Sequence, residues 1–227
     1  MPETALDMTE ITSIHHDKPA SFHRILSTPL WVNFETFSEE DVHIMNLVSD
    51  RVRMNVQKDL HNVDSYKRLK TTYGNRFKTL QYLHPHEDTF IRILRENVDK
   101  FFAHNSIEHT SYKNPSDYAV GDMWLNHYTD GSCIERHHHG ITKNYLSGSM
   151  CLYSEPDKNT EIELLFPGEY VADAGYANNW FQPLNQNTIC IWPATLSHQI
   201  KKVNGERVIM SFNIHYPYMN AYQIGSV

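Results

Sequence analysis

The sequence predicts an α+β protein that is mainly β, an antiparallel jelly-roll core preceded by supporting helices, and three observations carry that expectation. Before about residue 118, apolar residues recur at helical spacing. From Tyr118 onward the texture changes to short alternating segments separated by turn residues, as in antiparallel strands. These segments number about seven or eight, which is what a jelly roll requires. Residues 1–117 are therefore read as a helical extension packed on the core and 118–227 as the β core, the two forming one compact unit.

The first helix is expected after Ser38, an N-cap residue followed by Glu39, Glu40 and Asp41 where the helix dipole favours negative charge. Val42, Met45, Val48, Val52 and Val56 then mark its apolar stripe. A second helix is expected after Pro85, with Phe90, Ile93, Leu94, Val98, Phe101 and Phe102 as its buried face. Both stripes are read as packing surface. The expected strands are Asp122 to Tyr128, Ile134 to His139, Leu146 to Tyr153, Glu161 to Phe166, Thr188 to Trp192, His198 to Val203 and Arg207 to Tyr216. Asp173 to Pro183, with Tyr176, Trp180 and Phe181, is expected to be a loop at the barrel mouth.

Side-chain parity selects the candidate site. Residues two apart on a strand share a face, so His137 and His139 point one way and His138 the other. A distant His198 can close a metal-binding face. The same rule places Trp124, Asn126 and Tyr128 together, and Ser147, Ser149, Cys151 and Tyr153 together. Asn204-Gly205 is a strong signal for a two-residue type I′ hairpin. That register would set His198 opposite Ser211, with Arg207 on the same face about 13 Å along the strand. A guanidinium at that distance suits the far carboxylate of a chelating dicarboxylate, because it presents paired donors.

Composition removes several rivals. A net charge of −7 gives no electrostatic footprint for general nucleic-acid binding. No apolar run approaches the roughly eighteen residues of a membrane span, and the polar start lacks a secretory pattern, so a cytoplasmic protein is expected. Cys133, Cys151 and Cys190 are odd in number and widely spaced, which indicates neither a disulfide framework nor a zinc ribbon. His15, His16, His84 and His86 lie outside the β pattern and are read as surface residues.

Tyr128, Gly131, His137-x-His139, Tyr153, Trp192-Pro193-Ala194, His198, Arg207 and Ser211-Phe212-Asn213 together resemble the 2-oxoglutarate/Fe(II)-dependent dioxygenases. The resemblance runs from Trp124 to Tyr216 and is strongest to the prolyl-hydroxylase-like group and a branch common in bacteriophages and bacteria. It implies a double-stranded β-helix core, Fe(II) held by His137, His139 and His198, and 2-oxoglutarate as co-substrate with O2. Arg207, helped by Tyr153, Tyr128 and Ser211, would bind the 2-oxoglutarate carboxylate. The usual ligand set is two His and one carboxylate, and here the carboxylate position holds His139. A second alignment takes His138 as ligand and puts Gly140 at that position. Two rivals remain at this level: a three-His metal enzyme without a keto acid, and a non-enzymatic β-sandwich module holding a structural metal. Protein side chains, nucleic acid and small molecules all stay open as the substrate.

Overall fold

The computed structural model describes residues 21–25, 28–33, 37–59, 61–62, 69–104, 118–139, 144–158, 161–165 and 179–215. His15, His16, Gly140, Phe166, Tyr176 and Tyr216 lie outside the described residues, as does the Val56 side chain. In chain order the elements are β1 (Ser21–Ile25), β2 (Thr28–Asn33), α1 (Glu39–Asp59), β3 (His61–Asn62), β4 (Lys70–Thr71), α2 (Arg76–Leu83) and α3 (Glu87–His104). There follow β5 (Ala119–Tyr128), β6 (Ile134–His137), β7 (Asn144–Ser154), β8 (Glu161–Leu165), β9 (Asn179–Pro183), β10 (Ile189–Pro193), β11 (Ser197–Ile200) and β12 (Arg207–His215). Among the described residues no helix is long and apolar enough to cross a membrane.

The last eight strands form the jelly roll. β10, β7, β12 and β5 lie side by side in the larger sheet, and β6, β11, β8 and β9 form the smaller one. β2 and β1 extend the larger sheet at one edge and β4 and β3 at the other, so that it holds eight strands. These four N-terminal strands depart from the helical extension that the sequence predicts. β1 and β2 pair as a hairpin and β2 adds to β10, so their signal is a long-range pairing more than a local pattern. β9 replaces part of the expected mouth loop. It pairs with β8 along its whole length, and Pro183 sits at its last position, where a missing N–H is tolerated.

Both expected helices are present. Ser38 caps α1, its Oγ accepting from the Asp41 N–H at 3.1 Å, and Met45, Val48 and Val52 are fully buried. α3 buries Phe90, Ile93, Leu94, Val98 and Phe101, while Phe102 is half-buried against the same core. The short α2 has no counterpart in the sequence expectation; Asn75 caps it by accepting from the Lys78 N–H at 3.0 Å.

Strand alternation on the larger sheet makes two cores. Residues Leu125, Met150, Leu152, Val208, Met210, Phe212 and Ile214 pack with the helices on the outer face. The inner face packs Tyr128, Cys151, Trp192 and Ile209 toward Ile162, Leu164 and Ile200 of the smaller sheet. Gly148 stands opposite Phe212, and a Cβ there would collide with the phenyl ring. Glycine at that position is what lets the ring lie across β7.

The expected hairpin is absent. β11 pairs with β6 and β8, whereas β12 pairs with β5 and β7, so His198 is not opposite Ser211 and residues 201–206 cross between sheets. Gly205 has φ +81°, but Asn204 does not share a positive φ, which a type I′ turn demands at both positions. The crossing finds other backbone partners: Gly131 N–H donates to Val203 O at 2.9 Å, and Glu155 N–H donates to Glu206 O at 2.9 Å.

Candidate metal centre

His137 ends β6 and is paired across the smaller sheet with His198 of β11, which brings their ring centres to 4.3 Å. His139 lies just beyond β6, held by its own N–H donating to Ala194 O at 2.9 Å, and its ring lies 5.3 Å from His137 and 5.1 Å from His198. One ligand nitrogen from each ring lies within 4.8 Å of the others. The pair that parity selects is the pair that converges with His198, whereas His138 is exposed and is not in this cluster.

Each ring is held at Nδ1 by an oxygen. His137 Nδ1 is 2.9 Å from Glu135 O, His198 Nδ1 is 3.1 Å from Leu196 O, and His139 Nδ1 is 2.5 Å from Asn213 Oδ1. A carbonyl oxygen only accepts, so Nδ1 carries the proton and Nε2 carries the lone pair. That is the arrangement of metal-ligating histidines, whose second nitrogen donates to a carbonyl or carboxylate. Burial lowers the pKa of all three imidazoles, that of His198 well below the ordinary value, with His137 and His139 adding to its depression. The rings are therefore neutral donors, as metal binding requires. Trp192 meets the His198 ring edge-on at 5.0 Å and Trp124 lies 5.8 Å from His139, so apolar rings wall the cluster.

From the histidines a cavity of about 320 Å³ runs into the barrel, and its lining includes Tyr128, Asn126, Ser149, Ser211, Trp192 and Ile200. Asn126 bridges this wall, donating to Ser211 Oγ at 3.0 Å and accepting from Thr71 Oγ1 at 2.7 Å. Tyr128 and Ser211 therefore line the same cavity as the three histidines.

Tyr153 does not. The register between β7 and β12 slips between Cys151 and Tyr153, where a bulge reverses the parity of the residues beyond it. Tyr153 consequently packs toward the helices, with Arg53 of α1 stacked 3.9 Å over its ring. That expectation is corrected: the bulge moves the side chain out of the barrel.

Arg207 keeps the expected inward parity but from the opposite sheet to His198, and it is completely buried. Its Nη1 donates to Leu184 O at 2.5 Å and its Nη2 to Lys158 O, so two main-chain carbonyls hold the fork outside the cavity lining. Its Nε–H has no acceptor among the described residues, and neither has the buried Trp192 Nε1–H. Sequence reasoning named Trp192, Asn126 and Asn213 without giving them a role, and it missed Thr71. Parity alone already puts Asn126 and Asn213 on the inner face, but Thr71 comes from a two-residue strand without a local signature.

Neither a protein-family model nor a curated protein matches the sequence. Solved structures do. The non-heme α-ketoglutarate-dependent carbocyclase SnoK from nogalamycin biosynthesis is 8% identical with a TM-score of 0.54, covering 88% of this chain and 87% of its own. AviO1 from Streptomyces viridochromogenes is 13% identical with a TM-score of 0.53, over 95% of this chain and 98% of its own. The non-heme α-ketoglutarate-dependent epimerase SnoN, also from nogalamycin biosynthesis, is 9% identical with a TM-score of 0.51, over 79% and 73%. The chain shares the jelly-roll fold of these three proteins.

Proposed function

We propose that the protein is an Fe(II)- and 2-oxoglutarate-dependent dioxygenase. The observation that carries this reading is the convergence of three neutral imidazoles, each fixed at Nδ1, on the mouth of a polar cavity inside an oxygenase-type jelly roll. The donor set suits Fe(II), since imidazole is a ligand of choice for that ion. His137, His139 and His198 would hold one face of it. When bound, iron and 2-oxoglutarate supply an oxidation of the substrate by O2 coupled to oxidative decarboxylation of the keto acid to succinate and CO2.

The protein's own part is orientation. Tyr128 and Ser211 line the route inward from the histidines, and Arg207, buried behind that lining on the same sheet face, would be the partner of the distal carboxylate of 2-oxoglutarate. Burial lowers the Arg207 pKa from its ordinary value, the nearby Cys151 thiol opposing that effect, and a carboxylate partner would favour the charged form further. A buried cation inside the barrel supports this reading over a three-His hydrolase or a structural-metal module, neither of which requires one. The substrate is a molecule that reaches the open side of the histidines, where Trp124, Tyr73 and Asp122 form the rim. Protein side chains, nucleic acids and small molecules are the classes to screen, with nogalamycin-like compounds first because SnoK and SnoN belong to nogalamycin biosynthesis.

The test is iron content of anaerobically prepared protein together with succinate formed from 2-oxoglutarate in the presence and absence of candidate substrates. Iron at one per chain and succinate that depends on both iron and keto acid are expected. Metal binding with no keto-acid turnover under any condition would transfer the assignment to a three-His enzyme of another kind.

A further inference from the structure

We propose that Asn213 is the positioning residue of the metal centre, and that its neutral amide is matched to the replacement of a carboxylate ligand by His139. The inference rests on the reading that His137, His139 and His198 bind a divalent metal. His137 and His198 are held by main-chain carbonyls, Glu135 O and Leu196 O, which no substitution removes. His139 is held by a side chain, Asn213 Oδ1 at 2.5 Å. Asn213 is itself fixed: it is 4% exposed, stands directly opposite Ser147 in the sheet, and accepts from Ser147 Oγ at 2.8 Å.

The chemistry explains the residue type. An imidazole ligand needs an acceptor behind it, because its Nδ1–H must be satisfied for Nε2 to face the metal. A carboxylate ligand needs a donor there instead. An amide can serve either, by turning its oxygen or its NH2 group inward, and the Ser147 hydroxyl can adjust by donating or accepting. An aspartate at the same place serves the imidazole but repels a carboxylate. The pair His139 and Asn213 is therefore expected to couple, with a sign set by charge and hydrogen-bond polarity.

Cobalt(II) is the probe, because it binds imidazole sites and shifts the exchangeable ring N–H resonances of its ligands far from the diamagnetic region. The wild type is expected to take up one cobalt and show three such resonances. Asn213→Leu, close in size but without an acceptor, should weaken cobalt binding about 10- to 100-fold and lose or displace one resonance. Asn213→Asp, which keeps the acceptor, should retain both binding and the resonance, so the proposal remains testable even where the leucine variant does not fold. His139→Asp should still bind cobalt with Asn213 in place but lose it when combined with Asn213→Asp, a non-additive result that a merely structural role does not produce. Unchanged affinity and spectrum in Asn213→Leu, or additive effects in the double variant, would overturn the assignment while leaving the three-His site intact. A wild type that takes up no cobalt would instead remove both the site and this inference.

Discussion

The two faces of the larger sheet are equally buried and do opposite things. Along β12 the outward residues are Val208, Met210, Phe212 and Ile214, and the inward ones are Arg207, Ile209, Ser211 and Asn213. The same backbone carries both sets. Outward, burial of apolar area against α1 and α3 stabilises the fold and no polar atom needs a partner. Inward, polar groups are buried at a cost of desolvation, and they are met by one another, by main-chain carbonyls or, at Arg207 Nε and Trp192 Nε1, by nothing among the described residues. Three polar residues, Arg207, Ser211 and Asn213, retained at such cost on the inner side of one strand mark that side as the working one.

The sharpest separation comes from the histidines. His198→Ala is expected to abolish metal binding while leaving the fold intact, whereas His138→Ala should leave metal binding nearly unchanged. Metal titration with circular dichroism checks this, and equal losses would restore the alignment through His138. On the outer face, Phe212→Ala should cost about 3–5 kcal/mol of stability in denaturant unfolding, with metal affinity of the folded protein retained. A change in metal affinity there would break the division between faces.

Arg207→Ala should weaken 2-oxoglutarate binding about ten- to a hundredfold with iron occupancy retained, read from the visible charge-transfer band under anaerobic conditions. It should also cost about 1–3 kcal/mol of stability, since the carbonyls of Leu184 and Lys158 lose their donors. Unaltered keto-acid affinity would make Arg207 a plug for the barrel and nothing more.

A smaller effect is expected from pH. The folded-state pKa values of His137, His139 and His198 lie below the ordinary value of about 6.5, so between the two the unfolded chain binds more protons. Stability of the metal-free protein should therefore rise with pH through that window and fall as pH drops below about 6.5. Thermal melts of wild type and His198→Gln test it, the variant being expected to show the shallower dependence. Smallest of all, Tyr153→Phe should leave keto-acid affinity unchanged, because the ring under Arg53 faces the helices.

How much was legible in the sequence depends on the reach of each signal. Parity needs only two residues on one strand, and it separated His137 and His139 from His138 and put Ser211 on the inner face. It failed at Tyr153 because a bulge inserts one residue and reverses every side chain beyond it, and nothing local in Leu152-Tyr153 announces the bulge. The Asn204-Gly205 pair misled for a related reason. Turn chemistry favours a local hairpin, but both flanking strands had better partners elsewhere in the barrel. β1 to β4 and β9 depend on pairings across the sheet, and α2 spans too few residues to show a convincing period.

The placement of the three imidazoles has a consequence for how the barrel opens. His137 and His198 belong to the four-stranded sheet, while the ring of His139 is tethered through Asn213 to the eight-stranded one. An ion shared by all three would clasp the two sheets together at the mouth, like a button through facing edges of cloth. Local opening there would then require release of the ion, and occupancy at a hundred times the dissociation constant adds about 2.7 kcal/mol to that step. The clasp would be visible in amide hydrogen exchange: protection gained on loading should concentrate in β6 and β11 and fade toward the sealed end at Arg207, where the sheets are held without it.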